Sequence, residues 1–189
     1  MKLNKSVIWT LILLTIVAAL YRIIPNRPYG FAPQWAMAIF AGAVVKDRKL
    51  AFLIPVLSMF ISDVVYQILY MNGLSSIQGF YDGQVQNYLL FALLVVLGIM
   101  MKKINVRNVV VASLAAPTVY FILSNFILWA GTSGTRGLGR PKTFSGLMQC
   151  YTDALPFYRT SLIATLIFSG VLFGTYYLIS RKQSAIATA

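Results

Sequence analysis

The sequence predicts an all-α membrane protein: a bundle of six transmembrane helices with both termini on the cytoplasmic side and an outer interfacial helix before the last span. Three observations carry that expectation. Of the 189 residues, 59% are hydrophobic and 11% charged, far from the roughly 25% charged share of soluble domains. Apolar runs long enough to cross a bilayer recur along the whole chain. The basic residues stand in short clusters between those runs, as membrane topology requires. The runs use up nearly all the length, so one integral membrane domain over 1–189 is expected, with no separate soluble domain.

The first span, 7–24, follows Lys2 and Lys5, an order that a signal peptide also has. Its apolar run is long for a signal segment and ends at Tyr21-Arg22 without a small-residue cleavage site, so it is expected to remain as a helix. Residues 25–33 follow, with three prolines and a glycine in nine positions, a stiff connector that either lids a pocket or merely joins two spans. Asn26 and Arg27 are its polar members. The second span, 32–45, has 14 residues, about 21 Å of helix against a hydrocarbon core of about 30 Å, so it either starts nearer Tyr29 or is partly re-entrant. Ala38, Ala41 and Gly42 give it a small-residue face for close helix packing. The third span, 50–71, and the fifth, 109–130, carry Pro55 and Pro117, each removing one backbone hydrogen bond; the fourth is 85–101. A glycine-rich stretch, 131–142, superficially resembles a phosphate loop but has no strand before it, so it reads as a loop. From Phe144, the residues Leu147, Met148, Tyr151, Leu155 and Tyr158 recur at helical spacing, which predicts the interfacial helix ahead of the last span, 160–180.

Charge counting sets the orientation. With both termini inside, ten basic residues face the cytoplasm: Lys2, Lys5, Lys46, Arg48, Lys49, Lys102, Lys103, Arg107, Arg181 and Lys182. Six face outward: Arg22, Arg27, Arg136, Arg140, Lys142 and Arg159. Were the second span not to cross, the later clusters would change sides and the outer count would rise.

Asp63 is the one acidic residue at membrane depth, where a charge costs roughly 2.5–3.5 kcal/mol and marks a pathway, a site or a pairing. It lies 13 residues beyond Leu50, about 20 Å from the inner boundary, and Ser124 and Asn125 lie at a similar depth in the fifth span. Gln34 and Trp35 enter the second span from the same outer side, while the inner halves of the spans are almost wholly apolar. Two uses remain open. Asp63, Asn125, Gln34, Trp35 and Trp129 line an outward-facing small-ligand pocket, or Asp63 is a structural lock paired with Arg22 and Asn125 is interhelical glue.

The absence of His and Glu removes the commonest general base and half the carboxylate options, so the chain is not expected to be an enzyme. The single Cys150 allows neither an intramolecular disulfide nor a multi-cysteine metal site, and reads as a small buried side chain. No cofactor or metal is expected. The net charge of +12 is explained by membrane topology rather than by nucleic acid, and the lipid bilayer is the expected partner.

The segments Asn26-Arg-Pro-Tyr-Gly-Phe-Ala-Pro33, Ala38-Ile-Phe-Ala-Gly42, Ser62-Asp63, Ser124-Asn125 with Trp129, Gly146-Leu-Met-Gln-Cys150-Tyr and Ala154-Leu-Pro156-Phe resemble an uncharacterised family of small bacterial membrane proteins, a domain of unknown function. That resemblance implies a multi-pass protein of the bacterial cytoplasmic membrane and brings no activity. In size and six-span pattern the family is in turn similar to the substrate-binding S components of energy-coupling factor vitamin transporters, whose pocket faces outward beneath capping loops. The small-residue docking motif of their first helix is not evident here, since Ala18 and Ala19 are adjacent. The expected function is therefore a solute-binding membrane subunit for uptake of a small vitamin-like or anionic molecule, with Asp63, Asn125, Gln34, Trp35, Trp129, Arg22, Asn26 and Arg27 as candidate ligand-binding residues. The alternative is a structural or accessory subunit of a larger membrane complex.

Overall fold

In the computed structural model the backbone is described for residues 5–131 and 139–187, and side chains for 13–131 and 139–180. Lys2, the side chains of Lys5, Arg181 and Lys182, and the stretch 132–138 with Arg136 lie outside the described residues. The described residues form six α-helices and no strand: α1 (Lys5–Ile23), α2 (Gln34–Val44), α3 (Arg48–Met71), α4 (Gln84–Ile99), α5 (Val106–Ala130) and α6 (Phe144–Ala187).

The shortest helix is the most enclosed. In α2, Ala36, Met37, Ala38 and Ile39 are fully buried, packed among α3, α4 and α6 with Leu94, Val95, Phe91 and Phe173. Its small-residue face serves close packing as expected: a Cβ at Gly42 would overlap the Val95 carbonyl oxygen, and one at Gly98 would overlap the Ile39 carbonyl oxygen. The α2 and α4 backbones therefore touch where they cross, which glycine alone permits. α1 lies along α3, and α5 along α6.

Among the described residues three helices, rather than the expected six, are long and apolar enough to cross a membrane: Arg48–Met71, Val106–Ala130 and Phe144–Ser180. α2 has 11 residues, about 16 Å of rise, and α4 has 16. For α2 the cause lies at its ends. Pro33 stands at the N-cap of α2, and after Val45 the chain turns so that Asp47 Oδ1 can accept the backbone N–H groups of Lys49 (2.9 Å) and Leu50 (3.2 Å), opening α3. Arg48 Nη1 reaches back to the Gly42 carbonyl (3.3 Å), closing the same corner. Asp47→Ala is expected to cost about 1 kcal/mol, read as a small drop in thermal midpoint with the fold retained.

The separate interfacial helix expected before the last span is also corrected, because residues from Phe144 onward run into the final span as one 44-residue helix. Pro156 sits inside it and removes a single N–H bond. No capping residue interrupts the turn at Arg159-Thr160, and Thr160 Oγ1 donates to the Pro156 carbonyl (3.0 Å). The aromatic face of that segment packs on α5 instead of lying free: Phe121 meets Tyr158 with ring centres 4.6 Å apart, and Tyr151 OH donates to the Ile122 carbonyl (3.0 Å).

The proline-rich connector is held against α6. Tyr29 packs on Phe157 and Phe31 on Phe168, and Ser161 Oγ donates to the Gly30 carbonyl (3.2 Å). Gly30 has φ +80°, and a Cβ there would come within 2.5 Å of Ser161 Oγ, so the turn needs glycine on two counts. Asn26 takes the other left-handed position, φ 60°, which asparagine tolerates better than most residues.

Candidate functional site

The C-terminal parts of α1 and α3 meet the first turn of α4, and there the polar side chains of three helices converge. Asp63 on α3 is 2% exposed, and both its oxygens are occupied. Arg22 Nη1, in the last turn of α1, pairs with Oδ1; Gln84 Nε2 and Tyr88 OH each donate to Oδ2 at 2.7 Å. Gln84 and Tyr88 stand four apart at the start of α4, so one helix face delivers both donors. Arg22 Nη1 also donates to Ser62 Oγ (2.6 Å) and the Met59 carbonyl (3.3 Å), and its guanidinium carbon lies 5.7 Å from the centre of the Tyr66 ring. Tyr66 OH and Arg27 Nε both donate to the Arg22 carbonyl, at 2.6 and 2.7 Å. A buried carboxylate supplied with a cation and two neutral donors meets the condition under which burying a charge is tolerable.

Gln34, the first residue of α2, is 3% exposed. Its Nε2 donates to the Ala18 carbonyl (2.9 Å), while its Oε1 is buried without a hydrogen-bond partner. The carbonyl fixes the amide's orientation, because only the nitrogen can face it. Ser58, Ser113 and Ser169 also hold buried hydroxyls without partners, but a helical serine can rotate onto its own helix backbone, which an amide already anchored at one end cannot do.

A second, uncharged network adjoins the first through α4. Asn87 Nδ2 donates to Tyr81 OH (2.6 Å), Tyr120 OH donates to Asn87 Oδ1, and the Tyr120 ring packs on Trp35 with centres 4.6 Å apart.

The five residues expected to line one pocket thus divide. Gln34 bonds the Ala18 carbonyl of α1, one turn before Arg22, and is not among the hydrogen-bond partners of the Arg22–Asp63 pair, while Trp35, next along α2, packs on Tyr120 of α5. Asn125 does not join Asp63, for α3 and α5 make no contact among the described residues. Its Nδ2 donates to the Phe121 carbonyl of its own helix (2.8 Å), and the buried Cys150 thiol faces its backbone oxygen at 3.7 Å. Trp129 belongs to a third cluster at the end of α5: Nε1 donates to the Pro141 carbonyl (2.8 Å), and Lys142 Nζ donates to the Trp129 and Gly131 carbonyls. Arg140 pairs there with Asp153 (2.5 Å). Asn26 is an exposed turn residue. The site residues that sequence reasoning missed are Ser62, Tyr66, Gln84 and Tyr88; a Gln–Tyr pair four apart at a helix entrance was the available signal for the last two.

Among the described residues no three His, Cys, Asp or Glu side chains stand together as a metal site. No curated protein and no solved structure matches the chain. The family described as "Family of unknown function (DUF6580)" matches residues 2–186, nearly the whole sequence, and the chain belongs to that family.

Proposed function

We propose that the chain is a solute-binding membrane subunit for uptake of a small vitamin-like or anionic molecule, with its ligand at the junction of α1, α2, α3 and α4. The observation that carries this reading is the Gln34 Oε1 atom, a buried acceptor with no donor, on an amide anchored to the Ala18 carbonyl one helical turn before Arg22 and its pair with Asp63. An unmet buried acceptor loses about 1–3 kcal/mol that a ligand N–H or O–H restores. The proposed setting is the bacterial cytoplasmic membrane, crossed six times with both termini inside. The ten-to-six split of basic residues supports that orientation, and α2, sheathed by α3, α4 and α6, can sit at membrane depth despite its length. Size, span pattern and a polar end facing outward parallel the S components of energy-coupling factor transporters.

In this reading Asp63 shapes the wall and does not touch the ligand, since its oxygens are committed. Gln34→Leu is the direct test. Native mass spectrometry of the detergent-purified protein is expected to show a small molecule released from the wild type and at least tenfold depleted in the variant, at unchanged thermal midpoint. A variant that retains the molecule in full contradicts the assignment.

The full occupation of Asp63 also favours a second reading, a structural or accessory subunit in which the pair only locks assembly. A stoichiometric complex with other membrane proteins, carrying no small molecule, is what that reading expects from native purification.

A further inference from the structure

Arg27 is half-buried in the stiff connector, and its two hydrogen bonds go to backbone carbonyls: Nε to Arg22 (2.7 Å) and Nη1 to Phe31 (3.1 Å). Those carbonyls orient the guanidinium without neutralising it. Among the described residues the ion pairs are Arg22–Asp63 and Arg140–Asp153, and none of the four acids, Asp47 and Asp82 included, lies within ion-pair distance of Arg27. Arg22, Arg27 and Asp63 together carry a net +1, with the Tyr66 phenol at the same Arg22 carbonyl. A half-buried guanidinium in a fixed pose, with Nη2 uncommitted, is suited to a carboxylate or phosphate oxygen.

Arg27 is anchored on the Arg22 carbonyl and Gln34 on the Ala18 carbonyl, four residues earlier on the same helix. The two anchoring carbonyls are about one turn of α1 apart, roughly 5–6 Å. We infer, resting on the solute-binding reading above, that the ligand is a small oxyanion bearing an N–H or O–H donor about one helical turn from its acid group: the acid on Arg27, the donor on Gln34 Oε1.

The chemistry fits a free carboxylate or phosphate and equally the phosphate and hydroxyls of an anionic lipid headgroup. The test uses the full chain in phosphatidylcholine nanodiscs titrated with 4-hydroxybenzoate, benzoate and 4-hydroxybenzamide at matched ionic strength, and a parallel set in phosphatidylglycerol nanodiscs without added solute. The wild type is expected to bind 4-hydroxybenzoate at least tenfold more tightly than either analogue lacking one group. Arg27→Gln removes that preference for the acid, Arg27→Lys restores part of it, and Arg159→Gln, at an exposed site, leaves it intact. If instead phosphatidylglycerol raises the thermal midpoint of the wild type but not of Arg27→Gln, the inference holds with a headgroup as the source. Equal binding of acid and amide, or equal behaviour of wild type and Arg27→Gln, overturns the inference. A neutral molecule that co-purifies, is lost in Gln34→Leu and is indifferent to Arg27→Gln overturns it while the solute-binding reading stands. If no probe and no co-purifying molecule binds, both fall.

Discussion

Asp63→Ala is expected to destabilise the protein by about 3 kcal/mol, the cost of leaving a part-buried cation and two neutral donors without the carboxylate they share. The variant strands three donors at once: Arg22 Nη1 loses its counter-charge, and Gln84 Nε2 and Tyr88 OH lose the oxygen they share. Asp63→Asn keeps an oxygen for those two and is expected to cost less, so the ordering Ala worse than Asn separates the charge from the hydrogen bonds. The companion Arg22→Met strands the carboxylate instead, while the double variant Arg22→Met/Asp63→Leu replaces the pair with apolar volume. Because a buried pair is often dispensable when both members go together, the double variant is expected to be more stable than either single one. Thermal unfolding of the four proteins in one detergent measures the coupling. A double variant whose loss is simply the sum of the two singles shows that the pair does not hold the wall.

The second large effect lies at the other end of α2. Gly42→Val places a branched side chain where a single Cβ already overlaps the Val95 carbonyl oxygen, a backbone atom that cannot rotate away. The α2 and α4 backbones must separate, and the buried layer of Ile39, Leu94 and Val95 opens with them. The expected cost is about 3 kcal/mol, at the upper end for overpacking, seen as loss of monodisperse protein on size exclusion. Gly174→Val is the control: nothing lies within 4 Å of a Cβ at that position, and the thermal midpoint should hold within a few degrees. A Gly42→Val protein as stable as wild type means the crossing is looser than the structure has it.

What the residues alone reveal follows a physical division. Counting helix rise along the spans places Asp63 at the level of Ser124 and Asn125, and the pairing of Asp63 with Arg22 is one of the two uses the residues leave open. Depth says nothing about azimuth, however, and Asn125, level with Asp63 in the expected topology, faces its own helix and Cys150 on α6. Gln84 and Tyr88 are hard to read because the apolar run begins at Val85, and because a tyrosine near a span's end has the character of an interfacial anchor. The length of α6 is hidden by Pro156 and by Arg159-Thr160, which look like a boundary, although proline removes one hydrogen bond and arginine favours helix. The small-residue face of α2 is legible, since Ala38, Ala41 and Gly42 have few uses other than close packing.

In the proposed function a small molecule occupies the junction of α1, α2, α3 and α4 and supplies the donor Gln34 lacks. An experimental density map of the protein purified from its native membrane, at a resolution that shows ordered water, tests it most directly. The expected result is ligand-sized density with a polar atom about 3 Å from Gln34 Oε1 and the Arg22–Asp63 pair intact behind it. A lone water on that oxygen, or a protein donor closing over it, would contradict the claim.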